Sequence, residues 1–117
     1  MNNIIETVVS AIEEKKGTDI STIEFKDKGY IADYFIIATG NNDKMTQSIA
    51  DHVEEELEKK GETVIRREGY QVGKWIILDY GFMMLHVFTP SEREFYNIER
   101  LWQESKKLLG VETEDVQ

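Results

Sequence analysis

Apolar side chains recur every three or four positions at the start of the chain, where Ile4, Ile5, Val8, Val9 and Ile12 share one stripe. The spacing predicts an amphipathic helix over 3–15 that Gly17 stops. The stretch DISTIEF, 19–25, alternates well enough for a strand, KDKG makes a turn, and a nearly continuous apolar run from Tyr34 to Ala38 follows. A run of that kind suits a strand covered on both faces. Beyond Gly40, Asn41 and Asn42 are candidate helix caps, and Met45, Ile49, Val53 and Leu57 return every four residues until Gly61. TVIRREG predicts a short polar strand at a sheet edge, where charge discourages aggregation. Thr89 as cap, Pro90 at the first helical position and Glu92 closing a capping box predict a last helix. Its stripe runs through Ile98, Leu101, Trp102, Leu108 and Leu109. The order α-β-β-α-β-β-β-α implies an α/β (α+β) domain with a mixed five-stranded sheet packed with helices. A single domain over 1–109 and a flexible acidic tail over 110–117 are expected.

The segment GKWIILDYGFMMLHVF, 73–88, departs from the pattern of a surface hairpin because almost every position is apolar. A turn around Tyr80 and Gly81 sets Asp79 opposite Phe82, Leu78 opposite Met83, Ile77 opposite Met84, Ile76 opposite Leu85 and Trp75 opposite His86. Alternation across the pleat then gathers Ile76, Leu78, Met83, Leu85 and Val87 on one side, an aliphatic set fit for a core. Trp75, Ile77, Asp79, Phe82, Met84, His86 and Phe88 take the other. Aromatic and methionine side chains with a few polar anchors are what protein-binding surfaces favour. A helix of the same domain covering that face is an equally open reading, as is a satisfied core role for His86 and a turn role for Asp79.

Composition narrows the functional classes. With 117 residues the chain holds a core without staples, and its lack of cysteine rules out disulfides and thiolate chemistry. No basic region precedes an apolar run at the amino terminus, and no apolar run approaches the ~20 residues of a membrane span, so a cytoplasmic location and no membrane partner are expected. Net charge is −9, from 23 acidic and 14 basic residues. Phosphate neutralisation supplies much of the affinity of nucleic-acid binders, so direct nucleic-acid recognition is not expected. An acidic surface is instead suited to a basic protein partner, or simply to solubility.

Catalytic signatures are missing. His52 and His86 have no metal-ligand spacing, HVEEE at 52–56 is the solvated face of a helix, and neither a phosphate-binding glycine loop nor Gly-x-Ser-x-Gly occurs. No catalytic residue, metal or cofactor is therefore assigned. An alternative, a metal-dependent enzyme acting on a nucleotide or RNA end (on the nucleotidyltransferase-like scaffold that the family resemblance given next implies), has only Asp43 in TGNND to draw on, and an acid is expected at a helix start anyway.

Several segments in collinear order, KKGTDI (15–20), ADYFIIATG (32–40), EGYQVGKWIILDYG (68–81), LHVF (85–88) and REFYNIERLW (93–102), resemble the Iojap-like ribosomal silencing factors. The resemblance implies a nucleotidyltransferase-like topology without a catalytic centre, a homodimer and a non-enzymatic role. It implies docking on ribosomal protein fourteen of the large subunit, a steric block to joining of the small subunit, and repression of translation when nutrients are short. Carried onto this chain, the partner-binding surface centres on Trp75, Ile76, Ile77, Leu78 and Asp79 with the turn Tyr80–Gly81, joined by His86 and Phe88, with Glu68 as an acidic neighbour. Arg93, Tyr96, Glu99, Leu101 and Trp102 match a carboxyl-terminal motif for which packing is expected. Many members carry a serine and then a histidine where Asn42 and Met45 stand here, so roles of that loop in relatives do not transfer.

Overall fold

The protein was analysed as a computed structural model that describes residues 3–25, 33–98, 100 and 113–116, the last four as backbone. Helix α1 spans Asn3–Glu14 and buries Ile5, Val8, Ala11 and Ile12. It ends in a Schellman arrangement, with Lys16 N–H donating to Glu13 O and Gly17 N–H to Ile12 O, both at 2.9 Å. The left-handed position is Lys16, with φ 66°, rather than the expected Gly17. Gly17 is required for a different reason: a Cβ there would meet Ile12 Cγ2 at 2.3 Å.

Strands β1 (Thr18–Phe25) and β2 (Tyr34–Thr39) pair antiparallel, and helix α2 (Asp43–Lys59) follows. Asn42 caps α2, its side-chain Oδ1 accepting from Met45 N–H at 2.9 Å. Thr46, Ile49, Ala50, Val53 and Leu57 form its buried stripe. Strands β3 (Arg66–Glu68), β4 (Trp75–Asp79) and β5 (Met83–Phe88) complete the expected five. The sheet order is β3-β4-β5-β2-β1, with β2 and β5 parallel and the other pairs antiparallel. The mixed α/β architecture is thus the expected one, with polar β3 at an edge. A further strand, β6 (Thr113–Val116), pairs antiparallel with β1 inside the stretch expected to be a flexible tail.

Helices α1 and α2 lie together on one face of the sheet. Their apolar stripes close over Ile36, Ala38, Ile76, Leu78, Tyr80, Met83, Leu85 and Val87. Each fully buried aliphatic side chain there contributes about 1.5–3 kcal/mol. The predicted aliphatic set of the hairpin lies wholly in this core.

Helix α3 (Pro90–Tyr96) is shorter than its sequence stripe suggested. Thr89 and Pro90 hold the expected positions, but Thr89 makes no side-chain cap bond, so the capping box is absent. Asn97 turns left-handed at φ 44° and its N–H donates to Arg93 O, which interrupts the helix, and Ile98 and Arg100 are again helical. Asparagine tolerates that conformation better than most residues, so the expected single helix is broken at this position. Glu99, Leu101, Trp102, Leu108 and Leu109 lie outside the described residues.

Candidate partner-binding face

The hairpin pairs Tyr80 with Met83 across a two-residue turn, Gly81–Phe82, closed by Tyr80 N–H donating to Met83 O at 2.8 Å. Gly81, with φ +87°, occupies the first central position, where a type II′ turn needs positive φ. The turn is centred one residue beyond the expected one, and the register moves by two: Asp79 faces Met84, Leu78 Leu85, Ile77 His86, Ile76 Val87 and Trp75 Phe88. A shift of two preserves which side chain points to which face, so the division of the hairpin survives. Only Phe82, in the turn, changes allegiance and packs against the helix-side core.

The registers extend this outer face across the sheet in two rows. One runs Arg66, Asp79, Met84, Phe35, Ile23; the other runs Glu68, Ile77, His86, Ile37, Ser21. Two environments result. Near α3 the face is closed: Trp75 stacks on Phe88 with ring centres 5.0 Å apart, and Tyr96 lies 4.7 Å from Trp75. Phe88 and Ile37 are fully buried there, with Ile23, Phe25, Phe35 and Ile98 packed around them. Towards β3 the face opens. Trp75, Ile77, Asp79 and Met84 are half-buried, and Arg66 and Glu68 are exposed.

The expected site residues therefore divide. Trp75, Ile77 and Asp79 form one surface with Glu68 beside them, and Gly81 is exposed at the turn. His86 and Phe88 lie beneath this surface, enclosed by their own chain, and support it instead of reaching out from it. Tyr80 is on the opposite side, 5 % exposed in the helix-side core, so its side chain cannot join the outer face. Burial, reinforced by the charges of Glu54, Glu58 and Glu62, pushes its phenol far above the usual range, and the hydroxyl has no hydrogen-bond partner among the described residues. Arg66, Met84, Phe35 and Tyr96 were not selected from sequence. Met84 carries its signal in the hairpin alternation, whereas Arg66, Phe35 and Tyr96 reach the face through pairing and packing between distant segments.

On this face one cation, Arg66, stands between two acids. Asp79 Oδ1 accepts from Gly81 N–H at 2.8 Å, and Oδ2 lies 3.8 Å from Arg66 Nη2. Arg66 also approaches Glu68 at 3.5 Å. These exposed pairs add little stability, but they fix where the acids stand. Beneath them, Trp75 Nε1–H donates to His86 Nδ1 at 3.1 Å. Burial among aromatic rings lowers the His86 pKa from 6.5 to about 4, and its Nε2 has no partner among the described residues. The imidazole is thus neutral, with its proton on Nε2.

Groups that an enzymatic reading would need are otherwise engaged. Asp43 sits in the first turn of α2, where its Oδ1 accepts from Lys44 N–H at 2.8 Å. His52, Glu55 and Glu56 each bring a ligand atom within 4.8 Å of one another. His52, however, bridges α2 to α1 through Glu14 at 2.6 Å and meets Glu55 at 3.4 Å, while Lys59 holds Glu56 at 2.9 Å. Among the described residues no helix is long and apolar enough to cross a membrane.

A helix-backed sheet whose far face is half closed and half open, carrying a tryptophan, aliphatics and fixed acids, defines a small α/β domain. The particular family is then plain. Residues 1–117 match the family model described as ribosomal silencing factor during starvation, and the chain belongs to that family. It is 34 % identical to a ribosomal silencing factor of Halalkalibacterium halodurans over 110 residues, covering 92 % of this chain and 94 % of that one. To the ribosomal silencing factor of Bacillus subtilis it is 34 % identical over 100 residues, 86 % and 85 % of the two chains. A crystal structure of a protein from Chromobacterium violaceum superposes with a TM-score of 0.82 at 30 % identity, covering 88 % of each chain. The Iojap-like resemblance holds, and the family is one of ribosome regulators and not of enzymes.

Proposed function

We propose that this protein silences ribosomes by seating the open half of its outer sheet face on ribosomal protein fourteen of the large subunit, where its bulk keeps the small subunit from joining. The observation that carries this reading is the half-buried platform of Trp75, Ile77 and Met84, rimmed by Asp79 and Glu68, in a member of the silencing-factor family. Rigid aromatic and aliphatic groups at the centre of a patch supply most binding energy, and the rim acids steer a basic partner. The body is 23 Å thick along its shortest axis. A wedge of that depth exceeds any direct contact between two subunit surfaces by several side-chain lengths, so occupancy alone blocks joining and no bond-making is required. The factor acts in the cytoplasm, as a homodimer of single-domain subunits, and damps translation when nutrients are short.

Sucrose-gradient sedimentation of separated subunits, with and without the protein, tests this. The expected result is fewer joined ribosomes, with the protein travelling beside the large subunit. Undiminished joining at saturating protein, or sedimentation with the small subunit, overturns the reading.

A further inference from the structure

The two parallel strands at the centre of the sheet lead in opposite directions. After Thr39, β2 continues into α2 on the helix-side face; after Phe88, β5 continues into α3 on the outer face. Adjacent parallel strands whose connections part in this way leave a crevice at their carboxyl ends, the general place for ligands in open α/β sheets. A crevice of about 550 Å³ lies there, lined by Thr18, Asp19, Ser21, Thr39, Asn41, Arg93 and Glu94 among others, a size within the range of small-molecule sites. None of the platform residues Trp75, Ile77, Asp79, Met84 and Glu68 lines it, and the proposed docking surface makes no use of it.

Its chemistry is two-ended. Arg93 supplies the cation and donates to Thr39 Oγ1 at 2.9 Å and to the Asp19 carbonyl. Ser21 is 5 % exposed, yet its hydroxyl lines the crevice without a hydrogen bond among the described residues. That hydroxyl is not an enclosed orphan, so it stays reachable for a ligand atom. Asp19 and Glu94, both exposed, provide carboxylates at the rim. One guanidinium with hydroxyls at the base and two carboxylates at the mouth match a zwitterion. A simple phosphate fits poorly, because two acids and a net charge of −9 oppose it.

We propose that this crevice binds a small zwitterionic metabolite, a free α-amino acid in its simplest form. The ligand carboxylate sits against Arg93, Ser21 and Thr39, and its ammonium meets Asp19 and Glu94. A link to translation rests on the silencing reading above; the binding site itself does not.

The test is two-dimensional NMR of the isolated, isotope-labelled protein titrated separately with L-serine, L-glutamate, L-leucine and L-arginine. The controls are 2-oxoglutarate, which has no ammonium, putrescine, which has no carboxylate, and inorganic phosphate. At least one amino acid should shift the amides of Ser21, Thr39 and Asn41 saturably at roughly millimolar concentration or below. Ser21→Ala and Asp19→Asn should each weaken that binding about tenfold, the loss of one charge-assisted hydrogen bond. Asparagine suits the φ of 50° at position 19, so the second variant keeps the backbone. No shift with any of the four, equal binding of a control compound, or unchanged binding by both folded variants overturns the site. A protein that takes an amino acid yet leaves subunit joining untouched retains the site and loses the silencing reading; the converse result removes the site alone.

Discussion

Acid should unfold this protein earlier than its carboxylates alone require, and His86 is the reason. In the folded chain the imidazole is 5 % exposed among Trp75, Phe35 and Phe88, and burial lowers its pKa from 6.5 to about 4. Its Nδ1 accepts the Trp75 indole proton, so protonation would set one donor against another. The unfolded imidazole takes up its proton around pH 6.5, the folded one only near pH 4. Between those values the unfolded chain binds more protons, so stability falls as pH falls. The contribution is complete above about pH 7 and exhausted below the folded pKa. At 1.36 kcal/mol per unit, the whole displacement corresponds to about 3 kcal/mol, of which about 2 kcal/mol is lost between pH 7 and pH 5. In a domain of this size that lowers Tm by roughly 8 °C. Thermal and urea unfolding at several pH values, run in parallel on the protein and on His86→Leu, isolate the term. Every other residue is common to both chains, so only His86 separates the two slopes. The variant should lose markedly less stability from pH 7 to pH 5; identical slopes would refute the argument, whatever the absolute stabilities.

Other outcomes follow from the same geometry. Tyr80→Phe removes a buried hydroxyl that has no partner and should leave stability unchanged or raise it by up to about 1 kcal/mol in urea unfolding; a clear loss means the hydroxyl is satisfied in solution. Asn42→Ala deletes the α2 cap and should cost about 1 kcal/mol, recovered in large part by Asn42→Asp. Gly81→Ala forces a side chain into φ +87° and should cost about 1–3 kcal/mol, measured by the midpoint of denaturant unfolding. Trp75→Ala should weaken retention on purified large subunits by about thirtyfold or more, and Glu68→Ala far less. Equal retention of the two variants, each checked for folding, counts against the docking face.

Much of the fold was legible because it rests on local periodicity. The stripes of α1 and α2, the apolar run of β2 and the charged edge strand β3 each satisfy a rule read over a few residues. The hairpin was legible in its faces though not in its register, because alternation survives a slip of two and only the turn geometry distinguishes the alternatives. Tyr80 was misassigned to the docking surface because a residue beside a turn gives no sign of its face until that turn is located. The packing of Tyr96 on Trp75 and Phe88, that of Phe35 on His86, and the arrival of Arg66 beside Asp79 depend on contacts between distant segments that no local pattern encodes. The break at Asn97 shows the converse: apolar spacing runs unbroken through a residue whose backbone turns left-handed before helix resumes at Ile98.

The parallel pairing of β2 with β5 also bears on how the chain comes into being. Ile36 lies opposite Leu85, so the middle of the sheet cannot close until the hairpin has been synthesised. Until then α1, β1, β2 and α2 have emerged with the apolar flank of β2 unmatched, a state prone to sticking to other chains. Premature termination anywhere before β5 therefore yields an N-terminal fragment unable to bury its own strand, and such fragments are natural targets for chaperones and proteases.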